Sequence, residues 1–516
     1  SRSFTPPTTV DDYFKLVAGL TGVPVAVVKN IPSQPIVFTD EVTAGDSTEE
    51  SLILRSRTED AIIAYSMNKY MESYVAGNPD STWPLLFPMA KAAVKAMDTV
   101  QAVMSARNRP VKDFVVSGAS KRGWTTWLTG VADCRVKAIA PIVIDVLNMA
   151  KQMRHHKQAY GYWAPSIYEY AQERVFDRLV PESGSLAPEA EALLKLVDPY
   201  EYALLGRLDE PKYLINGTGD QFFLPDSSQW YFADLPGEKY LNYVPNADHG
   251  LLDVNAEVNL QNLNNVVGQL AGWIMSVTQN KTRPSFTYTI DRVAGTITVN
   301  VDPARRPRYV RLWYATTSNA RDFRIERGSD GSLYNPDSSL RGPQWYSLTL
   351  TPTVSGGTTY VASRPQPPAG LYTGFFVQVG YANTATLPSG LSSIPGVTIT
   401  VPDLVFTTDV LVIPTAGDGS NLYPEFPGYL ANVERPDVVD FPQDIAPVVV
   451  LTGSPYEMGR QYGELLADKI AEFVPNWISS FQTATGVTDV QLDQNWTNQA
   501  ALMDPAIVEE INGIAD

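Results

Sequence analysis

Val115-Val116-Ser117-Gly118-Ala119-Ser120-Lys121-Arg122-Gly123-Trp124 is the stretch that decides the reading of this chain. An apolar β-branched run passes directly into Gly118-Ala119-Ser120, and a helical pattern begins at once. A serine in that setting sits on a sharp strand-to-helix turn. Small neighbours let the backbone reverse, and the hydroxyl projects above the sheet edge. The N–H of Lys121 then points where an oxyanion would form, aided by the positive end of the new helix. The usual pattern has a second glycine two residues after the serine; Arg122 stands there, and Gly123 follows one later.

Outward from this turn, apolar runs alternate with amphipathic stretches, the signature of a mostly parallel α/β sheet. Strands are expected at 25–28, 114–117, 138–144, 213–216 and 240–244. Helices are expected at 84–107 and from about 253 to 277. In the first of these, Met89, Ala93, Met97, Val100 and Met104 recur at three- and four-residue steps. Residues 147–199 read as an aromatic-rich, mostly helical insertion placed like a lid. Its Tyr160, Tyr162 and Trp163 fit the insertion's own core better than a substrate pocket.

Two later turns supply partners for Ser120. The strand at 213–216 ends in Gly217-Thr218-Gly219-Asp220-Gln221-Phe222-Phe223, an acid at the carboxyl end of a late strand. Asp226 competes, but it follows Pro225 and reads as a helix cap. The next strand ends in Pro245-Asn246-Ala247-Asp248-His249. A neutral imidazole can take the serine proton and return it. The chain has 3 histidines, and the other two, His155 and His156, lie in the insertion. The order Ser120, Asp220, His249 is the one a nucleophile at such a turn requires. A metal site of Asp145, His155 and His156 is disfavoured, since adjacent histidines point to different faces. No cofactor is called for.

After 282 the texture changes. Short alternating runs at 296–301, 309–314, 359–362, 375–381, 397–401 and 405–412, separated by Gly, Pro and Asn, suggest an all-β sandwich over 283–414. Residues 415–444 read as a linker. A strand at 448–451 opens a short α/β tail over 445–516.

The composition is that of a folded protein of several domains: 516 residues, 44% hydrophobic and 10% aromatic. A net charge of −17 argues against a nucleic-acid partner. No run approaches the roughly 20 apolar residues of a membrane helix. One cysteine, Cys134, excludes an internal disulfide framework. An acidic pI of about 4.7 and few lysines suit a secreted or lumenal location, and the chain opens on Ser1 like a processed product. Of the sequons at Asn216, Asn280 and Asn495, Asn280 is the best glycan site, because it follows a helix.

Several of these segments resemble the PhoPQ-activated pathogenicity-related proteins, a family of α/β hydrolases. The likeness spans about residues 10–414. It rests on Ser56-Arg57-Thr58-Glu59-Asp60-Ala61, on Gly118 to Trp127, and on Pro141-Ile142-Val143-Ile144-Asp145. It continues through Gly219 to Asp226, Pro245 to His249, Arg321-Asp322-Phe323-Arg324 and Phe406-Thr407-Thr408. The resemblance implies an α/β-hydrolase domain over 1–282 with Ser120, His249 and Asp220 as its triad, lacking its first strands. The tail is similar to a different family. Gly453-Ser454-Pro455-Tyr456-Glu457-Met458-Gly459-Arg460-Gln461-Tyr462-Gly463-Glu464 resembles the opening of self-processing, penicillin-type acyltransferases, which are N-terminal-nucleophile enzymes. That likeness implies a catalytic cysteine on another chain of the same precursor.

Three functions follow as expectations. The first is a serine hydrolase acting on a small-molecule or polymer substrate with ester or amide bonds. The second is one chain of a heteromeric amidase or acyltransferase. The third is a secreted binding or signalling protein on a hydrolase scaffold.

Overall fold

The computed structural model describes residues 11–41, 56–181, 185–251, 260–317, 321–325, 342–389 and 399–415, with single positions between 454 and 512. The chain divides into two compact units, Ser1–Asp440 and Phe441–Asp516. The tail strand and the expected linker lie outside the described residues, as does nearly all of the 453–464 stretch.

Within the first unit the chain begins with helices α1 (Asp12–Thr21), α2 (Glu59–Val75) and α3 (Leu86–Ala106). Strand β1 (Phe114–Ala119) feeds helix α4 (Lys121–Ala132), and β2 (Val136–Ile142) follows. Among the described residues the insertion carries α5 (Met149–Tyr160), α6 (Tyr168–Gln172), α7 (Val175–Leu179) and α8 (Pro188–Val197), and α9 (Pro199–Leu204) follows it. Strands β3 (Lys212–Gly217) and β4 (Lys239–Val244) and helix α10 (Leu260–Thr278) complete the α/β part. The remaining strands are β5 (Phe286–Asp291), β6 (Thr296–Val301), β7 (Tyr309–Thr316), β8 (Tyr346–Thr349), β9 (Thr359–Ser363), β10 (Thr373–Tyr381), β11 (Leu404–Thr407) and β12 (Leu411–Ile413).

The main sheet runs β1-β2-β3-β4-β11-β10-β7-β8, with β12 also on β10. Its first four strands are parallel. From β4 onward the pairing is antiparallel, beginning with Thr407 opposite Leu241. The expected separate sandwich over 283–414 is therefore corrected. Five of its strands extend the α/β sheet, and only β5, β6 and β9 form a second sheet. Alternation in a strand reports that one face is buried, not which sheet the strand joins. Two of the expected strands also fall away. Val25, Val27 and Val28 are each more than a third exposed and pair with nothing, while 399–401 carries no strand and 397–398 lie outside the described residues. β-Branched residues without a neighbouring strand do not make one.

Both faces of the sheet are covered. Ile139, Leu214 and Leu241 point to a core built with α2, α4 and the insertion helices. Ala138, Ala140, Tyr213 and Ile215 point to the opposite core, shared with α1, α10 and the small sheet. Burial on two faces is why β3 is buried at every position and reads as a continuous apolar run. All four parallel strands end on the same side, and Ser120, Asp220 and His249 lie just beyond those ends.

Candidate active site

At the end of β1 the chain reverses through Ser120, whose φ of 56° and ψ of −131° belong to a region that non-glycine residues avoid. The turn is held by three backbone bonds. Ser120 N–H donates to the Ile142 carbonyl at 2.8 Å, while the Gly123 and Trp124 N–H groups both donate to the Ser120 carbonyl. Close packing dictates the glycines. A Cβ on Gly118 would lie 2.5 Å from the Arg122 carbonyl oxygen, and one on Gly123 would lie 2.6 Å from Ile144 Cγ2. Gly123 thus fills the role of the second glycine one position late, which leaves Arg122 free to face outward.

The three sequence-predicted residues come together. His249 Nε2 lies 2.9 Å from Ser120 Oγ, across 129 residues of chain. On its other side His249 Nδ1 lies 2.8 Å from Asp220 Oδ2. The second oxygen of Asp220 accepts the N–H groups of Phe222 at 2.7 Å and Phe223 at 3.2 Å. The acid side chain is buried at 2% exposure, whereas the imidazole keeps 18%. Phe222 covers one face of that ring at 4.1 Å between centroids. Such an arrangement leaves Ser120 as hydroxyl donor to a histidine whose tautomer the acid fixes. Lys121 opens α4, so its N–H has no acceptor within the helix.

The competing residues are placed elsewhere. Asp226 meets His155 at 3.0 Å and Arg321 at 2.5 Å in a buried cluster. His156 Nε2 accepts the Ala164 N–H at 3.0 Å. Asp145 accepts hydrogen bonds from Asn216 at 3.1 Å and from the Tyr231 hydroxyl. Burial pushes its carboxyl up to about 7. Asn216 is buried and so unsuited to a glycan, while Asn280 is exposed. Trp163 packs on Phe176 within the insertion, but Tyr160 stacks under the Arg324 guanidinium and Tyr162 bonds to it.

Sequence reasoning missed two sets of residues. Glu59 and Asp60 underpin the serine turn: Lys121 Nζ lies 3.0 Å from Glu59 and 2.7 Å from Asp60. Arg122 reaches the same Glu59 at 2.5 Å and donates to the Ile31 carbonyl at 3.1 Å. Its hydrogen bond holds the Glu59 carboxyl down at about 2. The other set, Gln221 with the 321–325 segment, lies behind His249. Signals existed, since 56–61 and 321–324 are two of the segments that carry the family likeness. Their partners, however, lie some 60 and 100 residues away in sequence.

The scaffold and site define a class: a mixed α/β protein with a Ser–His–Asp hydrogen-bonded chain at a strand-to-helix turn. The chain belongs to the PhoPQ-activated pathogenicity-related protein family, whose pattern matches residues 3–324. It is 33% identical over 384 residues to autocrine proliferation repressor protein A of Dictyostelium discoideum, a match covering 73% of this chain and 70% of that one. Among solved structures, it is similar to acetyl xylan esterase 1 from Thermoanaerobacterium (15% identity, TM-score 0.28, 40% of this chain and 56% of that one). It is also similar to the acylaminoacyl peptidase of Pyrococcus horikoshii (12% identity, TM-score 0.27, 37% and 27%). A third is a monoacylglycerol lipase of Paleococcus ferrophilus (13% identity, TM-score 0.23, 36% and 76%).

Proposed function

We propose that this protein is a serine hydrolase of ester or amide bonds. The observation that carries this reading is the continuous pair of contacts from Ser120 Oγ through His249 to Asp220, at 2.9 and 2.8 Å. In the reaction Ser120 Oγ attacks the substrate carbonyl while its proton passes to His249 Nε2. Asp220 holds the imidazole in the receptive tautomer and stabilises the imidazolium. The tetrahedral oxyanion takes a hydrogen bond from the Lys121 N–H at the positive end of α4. Collapse expels the alcohol or amine, which receives the proton from His249. Water then repeats the sequence on the acyl-serine and restores the enzyme.

The test is turnover of p-nitrophenyl esters and p-nitroanilides by the full chain beside Ser120→Ala. Turnover by the wild type that the alanine variant lacks supports the reading. Equal background rates for both proteins would sink it.

A second reading draws on the relative's name. A 33% likeness to an autocrine proliferation repressor suggests a secreted signalling protein that uses this scaffold. Applying the wild-type and Ser120→Ala proteins to proliferating cells separates the two ideas. Repression that survives the substitution assigns signalling to the surface, and repression that is lost assigns it to hydrolysis. An exported location belongs to the same reading. It is checked by a glycosidase-sensitive mass shift at the exposed Asn280.

A further inference from the structure

The acid and the histidine sit on separate loops, after β3 and after β4, and the hydrogen bond from Asp220 to His249 is to its imidazole ring. Something else must fix the backbone that carries the ring. We propose that Gln221 is a positioning residue for His249, and that it acts by joining the histidine loop to the segment at 321–325. This inference rests on the triad reading above.

The Gln221 carboxamide faces two ways. Its Oε1 accepts the backbone N–H of His249 at 3.0 Å, and its Nε2 donates to the Ile325 carbonyl. Successive residues of one turn therefore grip His249 at two points: Asp220 at ring Nδ1, Gln221 at the main chain. Two grips fix direction as well as distance. With the ring held alone, a shift of the loop would swing Nε2 away from Ser120 Oγ, and misplacement on the order of 1 Å costs roughly 100-fold in such reactions.

The far side of the carboxamide is anchored too. Ile325 N–H donates to the Gly219 carbonyl at 2.8 Å, one residue before the acid. A Cβ on Gly219 would lie 2.4 Å from Ile325 Cδ1, so only glycine lets the segment lie this close. Arg321 is pinned to Asp226 at 2.5 Å, with both side chains at 2% exposure or less. Arg324 donates to the Tyr162 hydroxyl at 2.5 Å and lies 4.6 Å over Tyr160. The segment thus connects the acid turn, the histidine loop and the helical insertion. The Gln221 side chain bonds to both the segment and the histidine.

The experiment compares wild type, Gln221→Leu and Gln221→Glu as full chains, with thermal unfolding as the check on folding. Two readouts are used: the rate of fluorophosphonate labelling from pH 5.5 to 9, and hydrogen exchange of the peptide containing His249. Leucine keeps the bulk and removes both polar contacts. It is expected to slow labelling about ten- to 100-fold, in line with a misplaced base, and to speed exchange of the His249 amide at least tenfold. Glutamate keeps an acceptor for the His249 N–H. It also sets a carboxylate, which has no donor, against the Ile325 carbonyl and so cuts the tie to the segment. It is expected to slow labelling about tenfold, with the pH midpoint raised because a nearby carboxylate favours imidazolium. A folded leucine variant with wild-type labelling, midpoint and exchange overturns the proposal. Should leucine not fold, a folded glutamate variant whose labelling rate at high pH and whose His249 amide exchange match wild type overturns it instead. A wild type inert to the probe counts against the triad reading, and the exchange comparison still decides whether Gln221 holds the loop.

Discussion

The two flanks of the proposed triad are built by different means. On the serine side the chain does the work locally. Two glycines of 118–123 and the Gly123 and Trp124 N–H groups on the Ser120 carbonyl shape the turn, and its one backbone hydrogen bond to another element, from Ser120 N–H to Ile142, reaches the neighbouring strand 22 residues on. On the acid–histidine side, local sequence supplies the groups but not their alignment. Asn246 is held by both backbone groups of Trp345, 99 residues on. Gln221 reaches Ile325 across 104 residues. A serine turn of this kind can be read from ten residues, whereas the placing of the histidine opposite it depends on segments that arrive much later in the chain.

Substitutions at the proposed reacting groups are expected to break both flanks at once and to give the largest effects. His249→Ala and Ser120→Ala are each expected to lower hydrolysis by about 1,000-fold or more, because triad members act as a unit. Asp220→Asn should fall nearly as far, since the amide favours the wrong tautomer. Residual rates within tenfold of wild type would contradict the assignment.

The local character of the serine flank is sharpened by Gly123→Ala. The added methyl meets Ile144 Cγ2 at 2.6 Å and the Ile142 carbonyl oxygen at 3.1 Å. Overpacking of this sort costs about 1–3 kcal/mol. A lowered denaturation midpoint together with lost probe labelling is the expected pair, and an unchanged midpoint would show that the turn has slack.

On the other flank, the buried carboxyl of Asp145 gives a test by pH. Burial raises Asp145 to about 7 from an ordinary value near 4, with Asp220, Asp409, Tyr231 and Asn216 around it. The native state therefore holds a proton that the unfolded chain releases. The resulting stabilisation is full below about pH 4 and is lost as the pH rises through 7. Asp145→Asn stays neutral throughout. It should be more stable than wild type at pH 8 by on the order of 1–3 kcal/mol, with the advantage gone at pH 4. Denaturant titrations at the two pH values measure it, and parallel pH dependences would refute it.

The smallest effect is expected beneath the serine turn. Glu59→Gln removes the carboxylate shared by Lys121 and Arg122, but it is partly exposed. Partly exposed pairs contribute on the order of 1 kcal/mol or less. A rate change of no more than about threefold is expected on that scale, and a 100-fold loss would show that the network sets the oxyanion site directly.

The legibility of the sequence follows the same division. That Ser120, Asp220 and His249 would lie beside one another was readable because each follows the end of a strand, and that position is a local pattern. The parallel half of the sheet was readable for the same reason. The strands after 282 were mostly recognisable as strands, yet their destination was not. Nothing in the alternation of β11 says that it will pair with β4 at Thr407 and Leu241 and carry the sheet onward. Gln221 and the 321–325 segment were visible only as parts of a family likeness. Their roles come from contacts that no spacing along the chain reports.

Reaction of the native full-length chain with a fluorophosphonate, followed by peptide mapping, tests the central claim most directly. The probe needs a serine activated by its base, and no knowledge of the substrate. A single adduct on the peptide containing Ser120, absent from Ser120→Ala and from His249→Ala, is the result expected here. A folded wild-type protein that takes no label, or labels at another serine, would contradict the assignment of Ser120 as the nucleophile.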